Sequence, residues 1–392
     1  MQTEDRLRRP LRIAVISQHD VRDVLPLSGS GFFMIKALER QAAELVVLGP
    51  LRSKWTTVGE YFGKAARLVG KGYDHYHSVR VSQSFGKKFK TQLGKGHYDV
   101  IFAPMASTEI AFLDTEVPIV YLSDMTFNLA RSYYSFFSNL LPVSQREGAM
   151  VESGAVAHAK EIVVPSAWAA QSFRGDYQYD ESRLNIIPFG ANLSNPPTQV
   201  DAVRVRSLKV CRLLLVGVDW ERKGGPIAIA VLQALLAAGV SAELVVCGCR
   251  PPAGTPRMAV RVIPFLRKDD PADADQLRQL FLSSTFLIVP SKADAAPIVF
   301  AEASAYGLPS LTRQTGGTAT MVRDGVNGYC LPADAPGSEY AALILELLRD
   351  PERYHALCVS SRNEFESRLN WDHWAKQMIE VFTRAAGNRS DS

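Results

Sequence analysis

The feature that most constrains this chain is an alternation that runs along it twice. Short, mostly apolar runs recur, each bounded by a glycine-bearing or polar loop and followed by a helical pattern. Leu11-Arg-Ile-Ala-Val-Ile16 is the first. The loop Leu27-Ser-Gly-Ser-Gly31 follows, then an amphipathic stretch from Phe32 to Ala43, then a second run from Glu44 to Leu48. Strand, glycine loop, helix, strand is one βαβ unit, whose crossover is right-handed. Strands without apolar–polar alternation are buried on both faces, which requires a parallel sheet with helices on either side. Further runs at Tyr98–Phe102, Pro118–Leu122, Glu161–Val164 and Leu184–Pro188 extend the series.

Around Asn192 to Leu208 the composition changes, and Asn195-Pro-Pro-Thr198 with its polar neighbours reads as a linker. The alternation then restarts. Arg212–Val216, Ala242–Cys247, Val260–Ile263, Phe286–Val289 and Pro309–Leu311 read as strands, and Gly225–Ala238 and Ile298–Tyr306 as helices. The expected organisation is α/β: a first Rossmann-like domain over 1–196, a second over 205–370, and a terminal helix within 371–392 anchored by Trp371, Trp374 and Phe382.

Composition removes other classes. Of 392 residues, 47% are hydrophobic and 21% charged, which excludes a disordered, collagenous or coiled-coil chain. The 44 basic and 40 acidic residues leave a net charge of +4, too mild to point to nucleic acid. Five cysteines, an odd number, suggest reduced thiols rather than a disulfide framework. Met1 to Pro10 is polar and lacks the apolar core of an export signal. No stretch reaches the roughly 20 apolar residues of a spanning helix. The expectation is a cytoplasmic protein, at most peripheral on the inner face of a membrane.

Four features fall at strand ends, where ligands of such folds sit. Val216-Gly-Val-Asp-Trp-Glu-Arg-Lys-Gly-Gly225 follows a strand and opens a helix, with Gly217 at its start and the cations Arg222 and Lys223 at the junction. An anion there gains both charges and the helix-end amides; an ordinary solvated basic loop is the alternative. In Ser291-Lys-Ala-Asp-Ala-Ala-Pro-Ile-Val-Phe-Ala-Glu302, Asp294 lies in a loop, Pro297 sits where a helix begins, and the amides of Ile298 and Val299 follow. Asp294 and Glu302 suit sugar or ribose hydroxyls, or Asp294 merely caps the helix. Gly316-Gly317 and Gly325-Val-Asn-Gly328 permit tight turns and close backbone approach. Ser28-Gly-Ser-Gly31 is no dinucleotide fingerprint, and no acidic residue ends the second strand to hold a nicotinamide ribose. Its Ser30 and Gly31 amides suit a diphosphate; an ordinary flexible loop is the alternative.

Together these features resemble the retaining glycosyltransferases of family 4, the glycosyl transferases of group 1, most clearly from about Arg212 to Pro332. The family pattern G-R-L-x-x-x-K-G is matched at Gly217, Lys223 and Gly224, with Val218 at its arginine position and Arg222 supplying a cation nearby. E-x7-E appears as Asp294-x7-Glu302, and Glu302-Ala-Ser-Ala-Tyr-Gly-Leu-Pro309 follows E-A-x-A-x-G-x-P. The first half is similar through Val164-Pro-Ser166 and Ile187-Pro-Phe-Gly-Ala191. Where the family carries a histidine after the fourth or fifth strand, Ser123 or Asp124 stands, so Asp124 is a candidate for the acceptor or a sugar hydroxyl, or else only holds the loop. His19, after the first strand, is a further candidate, against the commoner role of a lone histidine as a structural or surface residue.

The resemblance implies the GT-B fold, two Rossmann-like domains facing across a cleft with the terminal helix crossing back to the first. It implies a hexosyltransferase moving a sugar, with retention, from a UDP- or GDP-linked donor to a sugar, glycan or lipid-linked hydroxyl acceptor. No prosthetic group or metal is expected. Arg222, Lys223 and the amides near Ile298 would stabilise the leaving diphosphate, Glu302 the nucleotide ribose and Asp294 the sugar hydroxyls. Base recognition is expected near Phe265-Leu-Arg-Lys268. An epimerase of the same architecture and a non-catalytic nucleotide-sugar-binding protein remain open. Residues 52–95 hold ten basic residues with Trp55, Tyr61, Phe62, Phe85 and Phe89 interleaved, which reads as a solvated face or as a surface for anionic lipid.

Overall fold

The structure, a computed structural model, describes residues 10–23, 29–41, 43–256 and 258–387. Residues 1–9, with the polar N-terminus, and Leu27 and Ser28 of the first glycine loop lie outside them. The chain forms two compact units. One ends at Ile187 and resumes at Trp374; the other is Pro188–His373.

The first unit is built on a six-stranded sheet of order β2-β1-β3-β4-β5-β6, with every pair parallel. Its strands are β1 (Arg12–Val15), β2 (Glu44–Val47), β3 (Val100–Pro104), β4 (Ile119–Leu122), β5 (Ala159–Val164) and β6 (Leu184–Ile186). Ile101 packs with Phe85, Phe89 and Phe173 on one face. On the other, Phe102 meets Trp374 and Phe382 of the helix Trp371–Ala386, with ring centroids 6.3 and 5.4 Å away. That helix is pinned further where Arg384 donates to Asn185 Oδ1 and Glu161 Oε2 at 2.6 and 3.2 Å.

The second unit repeats the plan with β7 (Cys211–Val216), β8 (Ala242–Cys247), β9 (Val260–Ile263), β10 (Phe286–Ile288), β11 (Ser310–Arg313) and β12 (Gly328–Leu331), in the order β12-β11-β10-β7-β8-β9 and again all parallel. Along β7, Leu213 and Leu215 enter one core cluster and Leu214 the other, the period of two expected of a strand covered on both faces.

Two expectations need correction. The stretch from Asn192 to Leu208 is built into the second unit. Ala191 N donates to Leu369 O, the Trp371 indole to Asn192 Oδ1 at 3.0 Å, and Arg206 to Tyr306 O at 2.5 Å. Partners for Asn192 and Arg206 hold it there near its two ends, while most of the residues between them are exposed. Phe85 and Phe89 belong to the core and not to a surface, because the helix Val79–Leu93 turns them onto the sheet. Among the described residues no helix is long and apolar enough to cross a membrane.

Candidate functional site

In the second sheet β7 sits between β8 and β10, so the strand order reverses between β7 and β10. Loops leaving strand ends at such a point diverge, and ligands bind between them. The β7 loop carries Gly217, Arg222 and Lys223; the β10 loop carries Asp294 and Pro297 and leads into the helix Ile298–Ala305. The structure knits the two loops together. Lys223 Nζ donates to Asp294 Oδ2 at 2.5 Å, and Ser291 Oγ donates to the same oxygen at 3.2 Å. Arg222 Nη1 donates to Ala293 O at 3.0 Å and lies 4.0 Å from Asp294 Oδ2. Lys292 N donates back to Arg222 O at 2.7 Å.

Glycines make this approach feasible. A Cβ on Gly217 would lie 2.6 Å from Lys223 Cγ, so the lysine stem crosses directly over it. Gly224, at φ +78°, ends the loop against Pro290 O, where a Cβ would come within 2.2 Å. Gly317 N donates to Asp294 O at 3.0 Å, which brings the Gly316-Gly317 turn to the same loop. Glu302 is buried on its helix and ion-paired with Lys268 Nζ, so the Phe265–Lys268 loop also meets this side. The Gly325–Gly328 motif is a turn instead: buried Asn327 donates to Ser304 Oγ and Met321 O at 3.1 and 2.9 Å and sets the start of β12.

The first sheet has its own reversal, between β1 and β3. Ser30 and Gly31 are buried at the start of the helix Ser30–Arg40, behind Gly29 in the left-handed conformation. His19 is exposed, and Asp124, half-buried after β4, lies near Glu152. The groups gathered at these strand ends carry no signal in the sequence. Gln18 N, just past β1, donates to Glu109 Oε1 at 2.9 Å, just past β3, while Glu109 Oε2 is buried without a hydrogen-bond partner. Tyr121 Oη donates to Glu152 Oε1 at 3.1 Å. His77 Nδ1 and Asp74 Oδ2 are 2.6 Å apart.

Burial pushes Glu109 up to about 7, against the backbone amide of Gln18. Burial does the same to Glu152, also to about 7, and His77 only partly offsets it. For His77 burial acts downward, but Asp74 outweighs it and the imidazole titrates above its ordinary range. Asp74, pushed up by burial, is held below the usual carboxylate range by His77. Among the described residues no three His, Cys, Asp or Glu side chains converge as a metal-ligand set.

Residues 211–350 match the family model described as glycosyl transferases group 1. The D-inositol 3-phosphate glycosyltransferase of Nocardiopsis dassonvillei is 24% identical over 255 residues, which are 61% of this chain and 59% of that protein. The chain thus matches less than two thirds of that relative's length. Among solved structures, sucrose-phosphate synthase from Thermosynechococcus elongatus superposes with a TM-score of 0.66 at 18% identity, over 96% of this chain and 98% of that one. Anabaena Alr3699/HepE in complex with UDP gives 0.62 at 16% identity, over 95% and 99%. The chain has the GT-B fold.

Proposed function

We propose that this protein is a glycosyltransferase that moves a sugar from a nucleoside-diphosphate sugar to a hydroxyl acceptor. The observation that carries this is the joining of Lys223, Arg222, Asp294 and Gly317 at the reversal point of the second sheet, beside the start of the helix at Ile298. The group 1 match over the same residues supports it, and so does a fold shared with a structure solved in complex with UDP.

As the glycosidic bond breaks, negative charge grows on the β-phosphate of the leaving group. A cation already fixed by its neighbours stabilises that charge without reorganising, typically the largest catalytic contribution. Lys223 fits this role because Asp294 and the surface of Gly217 hold its chain. Arg222 adds a second cation, and the amides of Ile298 and Val299 add the positive end of the helix. Asp294 also meets the donor sugar's hydroxyls, and Glu302 the nucleotide ribose. Ser30, Gly31 and Asp124, at the strand ends of the first unit, are assigned as candidates for binding a phosphate group and the acceptor. We assign retention of anomeric configuration: the acceptor hydroxyl attacks the face the leaving group departs from and passes its proton to the departing phosphate oxygen. The cations make a metal ion unnecessary in this scheme.

The test is a coupled assay for nucleoside-diphosphate release from UDP- and GDP-sugars, with and without hydroxyl acceptors and with and without a chelator. Acceptor-dependent release unaffected by chelation, giving a product of unchanged anomeric configuration by NMR, is expected. No release from any donor defeats the enzyme reading; an inverted product defeats retention alone.

A further inference from the structure

The helix Lys54–Leu68 in the first unit inverts the usual burial pattern. Its buried residues are Gly59, Gly63 and Ala66. Gly59 sits so close to His75 that a Cβ would lie 2.5 Å from the histidine's own Cβ. Past Trp55, which packs partly buried against the core at its start, the helix therefore faces inward through residues with almost no side chain. Its other large apolar residues, Val58, Tyr61, Phe62 and Leu68, with Val69 just after it, recur at three-and-four spacing through the small Ala65, which makes one stripe. That stripe faces solvent: Tyr61 is 66% exposed, Phe62 62%, Leu68 89% and Val69 70%.

A second segment is tied by hydrogen bonds to the residues just after this helix. Asn139 takes Gly72 N at 2.8 Å on its carbonyl and Lys71 Nζ at 2.8 Å on its side chain, and donates to Gly70 O at 2.7 Å. Three residues before it, Phe136 is 68% exposed. Basic residues border the apolar side chains. Arg52, Lys54, Lys64, Arg67 and Lys71 stand against one acid, Glu60, over residues 51–72. Lys64 Nζ lies over the Tyr61 ring, 5.2 Å from its centroid. Exposed aromatics and leucine beside lysine and arginine form the pattern of a helix that lies in a bilayer interface.

We propose that the Lys54–Leu68 helix, with Val69 and Phe136, docks the protein on an anionic lipid bilayer. The apolar stripe enters the headgroup–acyl boundary, and the flanking cations meet lipid phosphates. Charge decides the occupant: an excess of cations around an apolar face matches an anionic lipid surface. A second copy of the chain would set these cations against each other.

The test is flotation of the full chain with phosphatidylcholine vesicles and with vesicles containing phosphatidylglycerol. Binding to the anionic vesicles only is expected, and it weakens at least tenfold when salt is raised until the Debye length falls to about 3 Å. Lys54→Ala/Lys64→Ala/Arg67→Ala should weaken it about a hundredfold, at about fivefold per basic residue near the surface. Phe62→Ser/Leu68→Ser/Val69→Ser should weaken it at least tenfold. Both variants change exposed side chains, and each should keep its circular dichroism and its response to nucleoside diphosphates, so failure here is separable from failure of the proposed activity. The proposal is overturned if the wild type ignores anionic vesicles at low salt, if it binds neutral vesicles equally well, or if the serine variant only dissolves a dimer.

Discussion

Lys223 Nζ and Asp294 Oδ2 stand 2.5 Å apart, with side chains only 12% and 10% exposed, although 71 residues separate them in the chain. Such a pair costs desolvation to form, and removing one partner strands the other charge, typically at about 3–5 kcal/mol. Its position at the sheet's reversal point makes it the centre of the proposed diphosphate site.

Replacing the cation should separate chemistry from folding. Lys223→Ala is expected to lower turnover at least about a hundredfold, as loss of one charge-stabilising donor does. It should also destabilise the second unit, whereas Lys223→Ala/Asp294→Ala should regain much of that stability without regaining activity. Steady-state kinetics and urea melts of both variants are the check; recovery of turnover in the double variant would exclude Lys223 from the chemistry.

Two glycines with similar backbone conformations give a matched contrast. Gly224, at φ +78°, is walled in by the Pro290 carbonyl, while Gly239, at φ +80°, has nothing within 4 Å of where a Cβ would stand. Gly239→Ala should cost only the left-handed strain, about 1–2 kcal/mol. Gly224→Ala should cost clearly more and weaken nucleotide binding, because the β10 loop must move away from Lys223. Equal costs in denaturant melts would mean the loop yields freely.

The buried acids of the first unit set a pH dependence. Glu109 and Glu152 rise from 4.5 to about 7, so the stability their protons confer is complete below pH 4.5 and lost as pH rises through about 7. His77, raised by Asp74, acts in the same direction: its contribution is complete below 6.5 and lost above its higher folded value. Asp74 is depressed, so its contribution disappears only as pH falls below 3.8 through its folded value. Melting temperature should therefore decline from about pH 5 to about pH 8. Glu109→Gln/Glu152→Gln should flatten that decline; an unchanged slope would show that other groups set it.

The terminal helix gives a packing test. Phe382 is fully buried against Phe102, so Phe382→Ala should destabilise by about 3–5 kcal/mol. Thermal melts read the change, and a loss below about 1 kcal/mol would mean the helix is not integral to the unit.

Much of the fold is legible in the sequence because parallel strands declare themselves. Arg12–Val15 and Ala242–Cys247 stand out to within a residue or two, since burial on both faces leaves apolar runs that little else explains, and Glu44–Val47, an only partly buried edge strand, stands out by its apolar run alone. β12 does not, because its Gly-Val-Asn-Gly lead-in has the composition of a loop. The cations and Asp294 are legible as separate motifs, and only the fold joins them. Glu109, Glu152 and the Asp74–His77 pair leave no trace. Carboxylates in helical sequence ordinarily face solvent, and only placement shows these to be buried. The aromatics of residues 52–95 make the same point. Phe85 and Phe62 share a basic, amphipathic context, yet one lies in the core and the other in solvent, because Gly59 and Gly63 let their helix dock on the opposite face.

Titration calorimetry of the wild type and Lys223→Ala with UDP, GDP, ADP and TDP tests the central claim most directly. One diphosphate should bind the wild type, and Lys223→Ala should weaken that binding at least tenfold, about 1.4 kcal/mol. Absence of binding by all four, or equal affinity in both proteins, would contradict a diphosphate site built around Lys223.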